Sequence, residues 1–193
     1  IVLRVLGRLE SSAGALLLIE STLTPGTIDR WLGGRTLATP LATRSREGLG
    51  DLAVAVCPRR DWFADPKRNL SNLPRVIGGV TPRCTAMASE VLAHVTPRPL
   101  HLLTDYRTAE VTKALENALF HLPIMLCHQL AGAMPEVNIA EAVRLASTHW
   151  RFESFGGLYL GFGPGGRCVP LGPRYLLDGV AARGGVAAHH DGV

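Results

Sequence analysis

Cys168 closes the run Gly161-Phe162-Gly163-Pro164-Gly165-Gly166-Arg167-Cys168. Four glycines in six positions leave little side-chain bulk, so a ligand can approach the backbone closely. A thiol delivered at the end of such a loop suits covalent chemistry on a small substrate, because a thiolate attacks carbonyl carbon readily. The competing reading is a Gly/Pro loop that happens to contain a cysteine. Cys57, Cys84 and Cys127 are widely spaced and form no C-x-x-C pair, which argues against a zinc site. They read as small core residues, reduced rather than bridged. His101, His121 and His128 read as packing residues, and His189-His190 as a pair with no third ligand nearby in sequence.

The elements that must carry this chemistry come from a chain of 193 residues, 47% hydrophobic and 19% charged. That suits one ordinary globular domain or two small ones, with a core that needs neither disulfide nor metal. The net charge of +4 favours an anionic metabolite. The 20 basic residues are scattered without aromatic interleaving, which argues against nucleic acid. No apolar run reaches transmembrane length and no signal-peptide layout opens the chain, so no membrane and a cytoplasmic location are expected. Residues 1–10 have Val2, Val5, Leu6 and Leu9 on one helical face with no cap before them. The chain is therefore expected to start partway through a fold.

Ala15–Ile19 and Asp51–Val56 are short apolar runs that predict buried strands of a parallel sheet. A helix is expected from Thr24 to about Leu37, with Pro25 in its first turn. A polar loop covers 59–73, Arg75–Gly79 is a third strand, Thr81 to about His94 a helix, and Leu100–Leu103 a last strand. Strands alternating with helices imply an α/β architecture with crossover connections. From Thr108 to about Met134 the pattern turns helical and apolar, with Pro123 expected to kink or split it. A further helix covers Ile139–Thr148, another starts within Pro173–Leu177, and the tail 179–193 reads as disordered.

Three segments resemble one family, the UDP-glucose/GDP-mannose dehydrogenases. Glu20-Ser21-Thr22-Leu23-Thr24-Pro25-Gly26-Thr27 resembles its E-S-T-x-x-P-G-T element, and Ala109-Glu110-Val111-Thr112-Lys113 with Asn117 its A-E-x-x-K-x-x-x-N helix. Gly161 to Cys168, with Val169-Pro170 and Pro173-Arg174-Tyr175-Leu176, resembles its cysteine loop. The spacing after Cys168 looks more like the bacterial UDP-N-acetylhexosamine enzymes than the animal UDP-glucose ones. The resemblance implies the second half of a Rossmann-like NAD-binding domain over 1–104 and a helical central dimerisation domain over 105–178. It also implies oxidation of a UDP-sugar C6 alcohol to a carboxylate with two NAD. Cys168 would hold the aldehyde as a thiohemiacetal and then a thioester. Lys113 and Asn117, four apart on one helix face, would stabilise oxyanion charge. Thr22 would contact NAD, while Tyr159, Gly163, Gly165 and Gly166 would line the sugar site. No metal is implied, and a homodimer through the central helix is.

The chain departs from the family pattern at several points. Gly172 stands where the family has an aspartate that helps activate the hydrolytic water. Arg59 replaces the glutamate of a P-E-R element at Pro58-Arg59-Arg60, Cys127-His128-Gln129 replaces V-N-E, and the loop from Phe155 to Gly161 is longer. The first βαβ unit, with its phosphate turn and acidic ribose ligand, is missing, as is the nucleotide-binding C-terminal domain. Two readings follow. The chain is a fragment of a nucleotide-sugar 6-dehydrogenase, inactive in isolation, or a degenerate paralogue serving as a helical dimerisation module. A third option is the broader 6-phosphogluconate-like dehydrogenase group, which would not need Cys168.

Overall fold

Both continuous apolar runs form strands. In the computed structural model, which describes residues 15–33, 52–62, 65–150 and 166–184, β1 (Leu16–Ile19) and β2 (Ala53–Val56) pair in parallel. They are followed along the sheet by β3 (Arg75–Gly79) and β4 (Leu100–Leu103), in the spatial order β1-β2-β3-β4. The β3–β4 pair is parallel, and α2 (Pro82–Ala93) lies between them in sequence. The β2–β3 pair is antiparallel, a departure from the expected crossover at every step. The polar stretch 57–74 that joins them contains no described helix, so nothing there carries the chain across the sheet. Every residue of β2 and β3 is buried, as expected for the two inner strands.

Two helix starts follow from local chemistry. Thr81 caps α2 by accepting the Cys84 N–H at 3.3 Å, and Pro82 follows in the first turn, where a missing N–H costs nothing. Asn138 caps α4 (Ile139–Ala146) by accepting the Glu141 N–H at 3.1 Å. Between β1 and β2 a five-residue helix, α1 (Thr27–Trp31), begins after Gly26, whose φ of 94° favours glycine. Its predicted extension to Leu37 and the predicted helix over 1–10 lie outside the described residues.

The long helix α3 spans Tyr106–Ala133 and runs unbroken through Pro123, where a split was one expectation. Its buried side, with Ala118, Ile124 and Cys127, continues across the proline, so packing offsets the lost backbone bond. The last described helix, α5 (Cys168–Ala181), starts five residues before the expected Pro173 and continues past 178. The reading of a disordered tail from 179 is thus corrected for Gly179–Ala181, which are helical, with Gly179 buried. Residues 185–193 lie outside the described residues.

The chain divides into two compact units, residues 1–113 and 114–193. In the first, the core gathers Ile19, Leu23, Ile28, Val54, Val56, Val76 and Val80 with Tyr106 and Ala109 of α3. Cys57, Cys84 and Cys127 are buried as expected, whereas His101 is exposed on β4. In the second unit α5 packs closely on α3. A Cβ on Gly172 would lie 2.3 Å from the Asn117 Cβ and 3.0 Å from the Ala114 carbonyl oxygen.

Two consequences are measurable. A methyl group on Gly78 would sit 2.4 Å from the Asp105 carbonyl oxygen, which is backbone and cannot step aside. Gly78→Ala should therefore lower the denaturant midpoint at constant m-value, costing about 1–3 kcal/mol. Burial and a 2.7 Å hydrogen bond donated to Asp29 hold the Tyr106 phenol above its ordinary pKa. The folded state keeps this proton more tightly than the unfolded chain, so the contribution is complete below about pH 10 and is lost as pH rises further. Tyr106→Phe should cost about 1 kcal/mol at neutral pH and flatten the alkaline fall in Tm.

Candidate functional site

The loop after β1 is fastened at both ends. At its start, the Glu20 carboxylate accepts a 2.5 Å hydrogen bond from the guanidinium of Arg75, the first residue of β3. Arg75 is 1% exposed and also donates to the Cys57 carbonyl oxygen at 3.2 Å, with the Cys57 Sγ at the same distance. This guanidinium joins the C-terminal ends of β1 and β2 to the start of β3. Burial raises the Cys57 pKa, outweighing the pull of Arg75, so this thiol is structural.

At the loop's far end the Gly26 N–H donates to Glu110 Oε2 at 2.7 Å and the Ile28 N–H to Oε1 at 2.9 Å. Glu110 lies on α3 and is 1% exposed. The Thr24 carbonyl oxygen accepts from the Thr27 N–H and hydroxyl, which closes the turn locally. Asp29, in the first turn of α1, accepts from the Tyr106 hydroxyl and pairs with Arg107 at 2.6 Å. The P-G-T turn and the A-E helix are therefore one hydrogen-bonded assembly.

Thr22 sits half-buried between these two fastenings, just past the C-terminal end of β1. Parallel pairing of β1 with β2 sets Glu20–Thr22 beside Cys57–Arg60, the sheet edge where α/β folds place ligands. Lys113 follows Glu110 by three residues on α3 and is half-buried. Asn117, one turn further on, is 8% exposed. Cys168 is exposed and is the first residue of α5, not the last residue of a loop. Four residues on, and so on the same face of that helix, Gly172 rests against Asn117. Within one unit the cysteine helix packs against Asn117, and within the other Glu110, one turn before Lys113, is tied to the turn that follows Thr22.

Other predicted residues fare differently. Gly166 has φ 77° and is exposed, with open space where a Cβ would stand. Tyr159, Gly163 and Gly165 lie outside the described residues. The run Gly161–Gly166 also has the spacing G-x-G-x-x-G, but only Gly166 of it is described. Arg59 pairs with Asp61 at 2.6 Å and its hydrogen bond holds that carboxyl below its usual range, so the reversed charge is balanced locally. Arg60 donates to the Pro74 carbonyl oxygen at 3.3 Å, a link between the two sides of the 57–74 stretch. Among the described residues no cluster of His, Cys, Asp or Glu could hold a metal, and no helix is long and apolar enough to cross a membrane.

Sequence reasoning missed the roles of Glu110 and Arg75. One signal was present for the first: a lone carboxylate between Ala109 and Ala114 on the buried face of a helix demands hydrogen-bond donors.

Known proteins resemble this chain in sequence and fold. The central-domain profile of the UDP-glucose/GDP-mannose dehydrogenase family matches residues 107–189. An NDP-N-acetyl-D-galactosaminuronic acid dehydrogenase from Ralstonia solanacearum is 32% identical over 170 residues, covering 86% of this chain and 39% of that protein. A UDP-N-acetyl-D-mannosamine dehydrogenase from Salmonella typhimurium is 33% identical over 170 residues, covering 85% of this chain and 39% of its own length. The solved UDP-D-ManNAc dehydrogenase of Pyrococcus horikoshii superposes with a TM-score of 0.73 at 29% identity, over 92% of this chain and 41% of that one. The chain thus spans about two fifths of the relatives it matches. On its motifs, its helical unit and these likenesses, residues 107–189 of this chain are the central domain of the UDP-glucose/GDP-mannose dehydrogenase family.

Proposed function

We propose that this chain forms part of a nucleotide-sugar 6-dehydrogenase, acting on a UDP-N-acetylhexosamine or UDP-glucose and using Cys168 as the nucleophile. The observation that carries this reading is the seat of the cysteine helix. Cys168 opens α5 and Gly172, one turn on, lies against Asn117 of the α3 helix that also bears Lys113. The thiol is exposed, and Asn117 is buried where α5 meets α3.

In this reading the substrate's C6 alcohol becomes an aldehyde, and the Cys168 sulfur adds to its carbonyl carbon as a thiohemiacetal. Loss of a further electron pair gives a thioester, and water then cleaves the carbon–sulfur bond to release the carboxylate and the thiol. Bound NAD would accept the electron pair at each oxidation. The first-turn N–H groups of α5, with Lys113 and Asn117, stabilise negative charge on the C6 oxygen. Holding the aldehyde covalently keeps it in place between the two oxidations. Thr22, at the strand ends, fits the nicotinamide end of the cofactor. The described residues supply no acidic ribose ligand or phosphate turn beside it. Gly166 and, by resemblance, Tyr159, Gly163 and Gly165 line the sugar.

The test is NAD reduction with UDP-sugars, read together with intact-mass detection of a substrate adduct. With the missing nucleotide-binding portions restored around this segment, the enzyme should yield two NADH per sugar and an adduct on Cys168, and Cys168→Ser in that enzyme should lose both the adduct and the second NADH. Two NADH per sugar from Cys168→Ser would overturn the nucleophile assignment. Gly172→Asp should not restore a water-activating carboxylate in its family place, because its Cβ would press into Asn117. It should instead lower Tm and slow any turnover.

One observation favours a second role as a helical dimerisation module. Leu115, Leu119, Leu122 and Leu126 of α3 are each 43–57% exposed and recur at the 4-3-4 spacing of a helix–helix seam. A second copy of this helix would cover them. Leu119→Glu with Leu126→Glu should convert a dimer to a monomer by sedimentation, with helical circular dichroism retained.

A further inference from the structure

We propose that Glu110 is a positioning residue that locks the loop carrying Thr22 to the helix carrying Lys113. This role rests on the reading of those two residues as part of the site.

A helix start is ordinarily capped by a neighbour, a Ser, Thr, Asn or Asp directly before it. Here the N-cap is Gly26, which has no side chain, and the capping oxygens come from 84 and 82 residues away. A local cap would satisfy the same N–H groups, so the distant carboxylate does something more. It makes the position of α1, and of the loop that enters it, depend on α3.

The geometry supports a rigid linkage. Both carboxylate oxygens are used, each on a different N–H, which fixes the carboxyl plane as well as its distance. Asp29 is held from the same turn of α3 by Tyr106 and Arg107. Leu23, Pro25 and Gly26 are buried, so little slack separates the fastened turn from Thr22. At the other side of Thr22, Glu20 is tied to Arg75. Thr22 is thus held between two ion-assisted fastenings, one of which originates one helical turn before Lys113.

The test is amide hydrogen exchange and nitrogen-15 NMR on the full 193-residue chain. It compares Glu110→Gln with Asp29→Asn, which disturbs the neighbouring contacts of α1 but not those of Gly26. In Glu110→Gln one carboxylate oxygen becomes an amide NH₂ facing an N–H. Exchange at Gly26 or Ile28 should quicken by about tenfold, and the Thr22 amide signal should move. Asp29→Asn should leave the Thr22 signal in place. If Gly26 and Ile28 lose protection while Thr22 stays unmoved, Glu110 is only a local cap and the proposal is overturned. Should Glu110→Gln fail to fold, Glu110→Asp, which keeps the charge but reaches one methylene less, serves the same comparison. Titrating NAD separates this from the reading it rests on. NAD-induced shifts at Thr22 that weaken by about threefold in the variant support both. Their absence from the wild type overturns NAD binding by this chain on its own, and the ligand-free displacement of Thr22 still decides the role of Glu110.

Discussion

A carboxylate taken out of water must find donors for its oxygens, and Glu110 finds them in two backbone N–H groups of a distant turn. Much of the first unit is arranged around that demand. Gly26 adopts a left-handed conformation that turns its N–H toward α3, and Pro25 stiffens the approach. Ala109 beside Glu110 is fully buried and small, which lets α1 and α3 lie close enough for the contact. Gly78 makes room in the same region by admitting the backbone of Asp105 and Tyr106 against β3. The residues that look like recognition motifs in the sequence are, in good part, the parts of one fastening.

That explains what could and could not be read from the chain. The four strands and the helix from Thr81 were legible because each rests on local sequence pattern. The start of α5 was not, because Pro170 and Pro173 suggest a loop, whereas Pro170 falls in the first turn, where no N–H is required. The antiparallel β2–β3 pair was missed because direction is set by the whole connection and leaves no mark in the strands themselves. Cys168, Lys113, Asn117 and Thr22 were singled out by resemblance, not by local pattern. Glu110 and Arg75 act through partners dozens of residues away, and such pairing has no spacing to recognise.

Gly172 shows how a single missing side chain can set the fit of two helices. Its lack of a Cβ allows α5 to approach the α3 backbone at Ala114 and Ala118, and that approach buries Asn117. Closeness of the two helices and a carboxylate at this position exclude one another. The small residues on the facing side of α3 are matched to the glycine, so the contact is a property of both helices rather than of one position.

The two fastenings around Thr22 also impose an order on synthesis. Glu20 waits for Arg75, and Gly26 waits for Glu110, so the first strand and its loop cannot complete their polar contacts while the chain behind them is still being made. Contacts across such separations slow folding, because a long stretch must be closed before any gain is realised. As the chain emerges from the ribosome, the apolar strand Leu16–Ile19 remains without its full set of neighbours until α3 has been translated. The polypeptide that carries this loop is therefore most vulnerable to wrong partners during its own production, and least so once a single glutamate has arrived.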